Sequence, residues 1–117
     1  MYWNPTCHHL GSLACAKKFL ELLDKTGNHH LLYIWGHSSE FDKDNNWDLI
    51  EEVCDMLGGR DEIWYATNIE IYNYMTAINR LEVSADQKII HNPSACPLWF
   101  TYMGEVTKIG PGETIRG

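Results

Sequence analysis

Apolar and polar positions along this chain alternate between two periods. From Ser12 to Lys25, Leu13, Ala16, Phe19, Leu20 and Leu23 recur at helical spacing, with Lys17, Lys18, Glu21 and Asp24 on the other face. Ser12 suits the cap of the first turn, and Gly27 suits its stop. The run Leu31 to Trp35 is too short for a usual helix and reads as a buried strand, closed by Gly36 and His37. A polar loop is expected from Ser38 to Asn45. A second helix follows over residues 46–57, with Trp47, Ile50, Val53, Cys54 and Leu57 on one face and Gly58-Gly59 as its end. Ile63 to Ala66 is a further apolar run of strand type. It leads into Thr67 and Glu70, spaced as a capping box, and a third helix reaching about Asn79 with Ile71, Tyr74, Met75 and Ile78 inward.

Helix and strand therefore alternate through the first 80 residues, with a strand end expected before the first helix at Tyr2 to Thr6. Such alternation implies a parallel sheet with right-handed crossovers, an α/β architecture. Beyond Arg80 the pattern becomes β-rich. Leu81 to Ser84 and Lys88 to His91 flank a hairpin turn, Pro97 to Tyr102 is extended, and Gly110 to Glu113 forms a turn between the last two short strands, followed by a frayed tail. The expected organisation is residues 1–80 as an α/β unit and 81–117 as a β-hairpin extension.

Composition narrows the partners. The 117 residues carry a net charge of -7, which argues against nucleic acid or an anionic membrane surface, since both need a basic face. Five Trp, six Tyr and three Phe in so acidic a chain suit a neutral polar ligand such as a sugar. Cys7, Cys15, Cys54 and Cys96 form no C-x-x-C pair and read as buried free thiols. No signal-peptide pattern occurs, and no stretch approaches the roughly 20 apolar residues of a membrane span, so a cytoplasmic location is the default expectation.

In a parallel sheet, the residues that follow the strands share one rim, where ligands bind. Chain order places His8 and His9, His37, and Thr67-Asn68 there. Imidazoles move protons near neutral pH and, with an amide, bond hydroxyl and acyl groups. Each has a plainer alternative: His37 as the start of a surface loop, His8 and His9 as loop residues, Asn68 as the second residue of a capped helix. His29 and His30 fall at the opposite rim and His91 in the hairpin, both structural positions. Tyr33, Trp35 and His37 share one face of the strand, expected to be core. Zinc catalysis needs three protein ligands and an open position, and adjacent histidines seldom both reach one ion. Neither H-E-x-x-H nor H-x-x-x-H occurs, so no metal site complete within this chain is expected. Gly-x-Ser-x-Gly and a glycine-rich phosphate loop are also missing.

The segment Leu32-Tyr33-Ile34-Trp35-Gly36-His37, followed by Phe41-Asp42 and Asn45-Asn46-Trp47, resembles the C-terminal part of polysaccharide deacetylases, the NodB-homology group of carbohydrate esterase family 4. Residues 63–72 and His91-Asn92-Pro93-Ser94 resemble its continuation, and Trp3 to His9 the strand end before it. The resemblance implies a deformed (β/α) barrel and a metal-dependent hydrolase that removes acetyl groups from N- or O-acetylated sugars. It makes His37 the general acid and places His8, His9, Trp35 and Asn68 against substrate. Trp35 and Tyr33 stand where the family usually has aliphatic residues, which alters the acyl pocket.

The family's base and metal ligands, an Asp pair followed by Gly and a His-x-x-x-His motif, have no counterpart in this sequence. A full (β/α) barrel takes roughly 250 residues. The expectation is thus half a deformed barrel with a C-terminal β-hairpin extension, inactive alone, with no cofactor within this chain. A divalent metal belongs only to a complete family member. Exposed sheet edges would lead to a homo-oligomer or to a partner chain supplying the missing half. The other reading is a non-catalytic module that binds carbohydrate or protein.

Overall fold

A computed structural model describes residues 4–23, 25 and 29–117. They fall into two compact units, residues 1–64 and 65–117. The first contains β1 (Cys7–His8), a 3-10 turn (His9–Gly11), α1 (Ser12–Leu23), β2 (Ile34–Trp35), α2 (Ser38–Asp44) and α3 (Trp47–Leu57). The second contains α4 (Asn68–Asn79), β3 (Glu82–Val83), β4 (Ile89–His91), β5 (Leu98–Tyr102), β6 (Glu105–Ile109) and β7 (Thr114–Arg116).

In the first unit β1 and β2 pair in parallel, Cys7 opposite Ile34 and His8 opposite Trp35. The contact continues upstream through Thr6, whose N–H donates to the Tyr33 carbonyl at 2.6 Å while its Oγ1 accepts from Tyr33 N–H at 2.9 Å. A side-chain hydroxyl thus replaces part of the ladder, and only Ile34–Trp35 of the expected Leu31 to Trp35 strand is paired as sheet. This is the only parallel pairing among the described residues, and they form no closed barrel. α1 packs on α3, with Ala16 and Val53 buried.

Several expectations need correction. Ser12 is the first residue of α1 rather than its cap, and its hydroxyl is buried without a hydrogen-bond partner. His8 instead caps the preceding 3-10 turn, its Nδ1 accepting from Leu10 N–H at 3.3 Å. Gly27 and Trp3 lie outside the described residues. The polar loop expected from Ser38 to Asn45 is a helix, because Phe41 buries its ring and the Trp47 Nε1–H donates to Asp42 at 2.7 Å. Seven residues would be marginal as an isolated helix, so this tertiary anchoring decides the matter. Asn45, at φ 49°, ends it in the left-handed region that asparagine tolerates.

Ile63 to Ala66 forms no strand, and Trp64 and Tyr65 are more than half exposed. Cys54 is exposed and Cys7, Cys15 and Cys96 are only partly covered, so the thiols are free but not buried.

The second unit is α4 with two antiparallel sheets, β3-β4-β7 and β5-β6. Thr67 and Glu70 form the expected capping box: Thr67 N–H donates to the Glu70 carboxylate at 2.7 Å and Glu70 N–H to Thr67 Oγ1 at 3.4 Å. α4 belongs with the strands after it, because Ala77 packs into a core with Ile90, Leu98 and Ile109. The Tyr74 hydroxyl binds both Trp99 N–H (2.9 Å) and the Trp99 carbonyl (3.1 Å), tying α4 to β5. Met103 and Gly104, both at positive φ, make the tight turn between β5 and β6. The tail expected to fray is β7, held by pairing of Ile115 with Ile90.

Asn92, fully buried, replaces a hydrophobic contact at the centre of this unit. Its Nδ2 donates to the carbonyls of Cys96 (2.9 Å) and Gly110 (3.0 Å), and its Oδ1 accepts from Ser94 N–H (3.0 Å) and Ser94 Oγ–H (2.6 Å). No helix among the described residues is long and apolar enough to cross a membrane.

Candidate functional site

The parallel register of β1 and β2 puts His8 beside Trp35 at the C-terminal ends of both strands. Strand alternation alone would send His9 to the opposite face from His8. The chain leaves the strand at His9 and enters the 3-10 turn, so the two imidazoles instead stack at 4.0 Å between centroids. The His8 ring meets the Trp35 indole edge-on at 4.7 Å, and His37 meets the same indole at 6.4 Å. Trp35 is 49 % exposed, which corrects its expected place in the core. A half-exposed indole in contact with two imidazoles lines the rim instead.

His37 caps α2 from β2, and this brings Glu40, three residues on, back over the rim. One oxygen of its carboxylate, Oε2, accepts from His37 N–H at 3.2 Å and lies 3.4 Å from both His8 Nε2 and His9 Nδ1. The His37 N–H is the main reason the Glu40 carboxyl is held below its usual range; desolvation works against this, and the imidazoles of His9, His8 and His37 add to it. Glu40 is therefore a carboxylate at neutral pH, facing two ring nitrogens.

His9 is the buried member of the set, 2 % exposed, with Phe41 at 4.6 Å on one side. Neither of its ring nitrogens makes a hydrogen bond; the 3.4 Å approach of Glu40 is an ionic contact only. Gly36 makes this burial possible, since a Cβ there would stand 2.2 Å from His9 Nδ1.

Of the residues singled out in the sequence, His8, His9, Trp35 and His37 share this rim. Asn68 lies in the second unit, as the first residue of α4 after the Thr67 cap. Sequence reasoning missed Glu40 and the role of Gly36. The signal for Glu40 was present: it stands three residues after its cap, as Glu70 does after Thr67, but histidine is an unusual capping residue. Among the described residues, His8, His9 and Glu40 are the one group of metal-ligating type, with one donor atom from each within 4.8 Å of the others. Two adjacent histidines and a carboxylate do not reproduce the Asp pair and His-x-x-x-His of the resembled deacetylases, so this group does not fit that family's metal. Comparison with known protein families, curated proteins and solved structures finds no match to this chain.

Proposed function

We propose that this chain is a C-terminal portion of a polysaccharide-deacetylase-like domain, acting on N- or O-acetylated sugars. The observation that carries the reading is the rim itself. β2 ends in an exposed indole followed two residues later by an exposed imidazole, and parallel pairing adds His8 to the same edge. The sequence around them, Tyr33 to His37, is among the most specific stretches of the resemblance.

In this reading Trp35 packs against the C–H face of a pyranose, and His8 hydrogen-bonds its hydroxyls. The His37 imidazolium delivers its proton to the departing nitrogen or oxygen as the bond to the acetyl carbon breaks. Water adds to that carbon, and acetate and a free amine or alcohol are the products. The base that activates the water belongs to a second segment, in this chain's partner or in a longer polypeptide, because the sequence holds neither the Asp pair nor His-x-x-x-His. The chain alone should therefore bind acetylated chito-oligosaccharides without turning them over, with or without added zinc or cobalt. Trp35→Ala should abolish that binding. Robust acetate release by the isolated chain would refute the inactivity, and absence of any glycan binding would refute the substrate class.

The half-exposed Trp35 equally supports a second reading, a binding module without chemistry. Glycan affinity unchanged in His37→Ala, together with no gain of activity when the segment bearing the family's Asp pair and His-x-x-x-His is supplied, would favour it.

A further inference from the structure

We propose that His8, His9 and Glu40 form a binding site for a divalent first-row transition-metal ion of the zinc type. The site is independent of the deacetylase reading and of the metal set that reading places outside this chain.

The first observation is the orphaned imidazole. His9 is 2 % exposed and neither of its nitrogens has a hydrogen-bond partner, a state that buried polar groups seldom keep. Its Nδ1 faces the one carboxylate of the cluster. The second observation is distance. Charge-assisted hydrogen bonds between imidazole and carboxylate close to about 2.7–2.9 Å, whereas Glu40 Oε2 stands 3.4 Å from both His8 Nε2 and His9 Nδ1. With zinc bonds of about 2.0–2.2 Å, the edge of a coordination tetrahedron is about 3.3–3.5 Å. The spacing that is long for a hydrogen bond is the spacing of ligands around an ion.

The third observation is room. Gly36 has no side chain where a Cβ would come within 2.2 Å of His9 Nδ1, so that side of the ring is left unobstructed.

The donor set selects the ion. Two imidazoles and one carboxylate suit zinc, cobalt, nickel or copper, whereas magnesium and calcium prefer all-oxygen sets. Three protein ligands leave a fourth position open, and it is reachable because the His8 and Glu40 side chains are 31 % and 37 % exposed. The His37 N–H on Glu40 Oε2 is the supporting contact that orients the carboxylate. His8 contributes at a cost: its Nδ1 accepts from Leu10 N–H at 3.3 Å, and ligation through Nε2 moves the ring proton to Nδ1, replacing that long hydrogen bond with a metal bond.

The test is isothermal titration of the full chain with zinc chloride at neutral pH, alongside the visible spectrum of the cobalt-loaded protein. One ion per chain is expected, with the strong d–d bands of a tetrahedral site and without the near-ultraviolet band that ligation by the free cysteines would bring. Glu40→Gln, on the exposed side of the cluster, should weaken zinc at least about tenfold while circular dichroism stays unchanged. His9→Gln should do the same, and His37→Ala, which keeps the backbone N–H, should bind zinc as the wild type does. Failure to bind zinc stoichiometrically, a thiolate band in the cobalt spectrum, or affinity that survives both Glu40→Gln and His9→Gln would overturn the proposal. Glycan binding and acetate release are read separately, so failure of the metal site leaves the deacetylase reading standing and the reverse.

Discussion

Replacing Gly36 by alanine tests the rim at its tightest point. The added Cβ would stand 2.2 Å from Nδ1, 2.9 Å from Cγ and 3.1 Å from Cβ of His9, where ordinary contact begins at 3.4 Å. To clear it, the ring must withdraw by about 1 Å, the shortfall that overpacking a core imposes. It has nowhere easy to go, because Phe41 lies at 4.6 Å and His8 at 4.0 Å. Overpacking of this kind costs about 1–3 kcal/mol, and in a unit of this size each kcal/mol lowers Tm by roughly 4–8 °C.

Gly11→Ala is the matched control, since its Cβ meets nothing within 4 Å. Stiffening the unfolded chain should make that change neutral or stabilising by about 0.4–1 kcal/mol. Thermal melts followed by far-ultraviolet circular dichroism would compare the two, with the His9 ring resonances as a local probe. Equal melting temperatures for Gly36→Ala and Gly11→Ala, or unmoved His9 resonances, would refute the packing account of Gly36.

Asn92→Ala removes four side-chain hydrogen bonds from a fully buried position and strands the carbonyls of Cys96 and Gly110. At about 1 kcal/mol each, urea denaturation should show a loss of about 3–5 kcal/mol. The Thr67 N–H, and then the Thr67 hydroxyl, hold the Glu70 carboxyl below its usual value of 4.5, desolvation opposing. That contribution is complete above the unfolded value and is lost as pH falls through the lower folded one. Glu70→Ala should therefore lower Tm at neutral pH, and the gap from wild type should close in acid; a gap independent of pH would count against the cap. Burial, aided by the Cys15 thiol, pushes the Cys7 thiol up to about 11, so iodoacetamide at mildly alkaline pH should modify exposed Cys54 well before Cys7, read by mass spectrometry.

Local signals carry the helices. The spacing of Leu13, Ala16, Phe19 and Leu20 marks α1, and the Thr67–Glu70 pair marks the start of α4, because period and capping need only neighbours in sequence. The hairpin of β3 and β4 and the turn at Gly110 to Glu113 are legible for the same reason. The α2 segment is not: Ser38 to Asp44 looks polar, and what makes it helical is the burial of Phe41 and the bond from Trp47. Nor is the last strand, since Thr114–Arg116 becomes ordered only by pairing with β4.

The same division runs through the site. Sequence alone places His8, His9 and His37 after strands and so on one rim, because chain order and strand polarity suffice for that. It sets the composition of the rim, two adjacent imidazoles and an indole two residues before a third imidazole. Tertiary structure alone decides which atoms meet. The turn at His9 folds two neighbouring rings to one side, the cap of α2 returns Glu40 over them, and the bare backbone at Gly36 lets His9 be buried. Those contacts depend on where the chain turns within a single residue, and hydrophobic periodicity does not encode that.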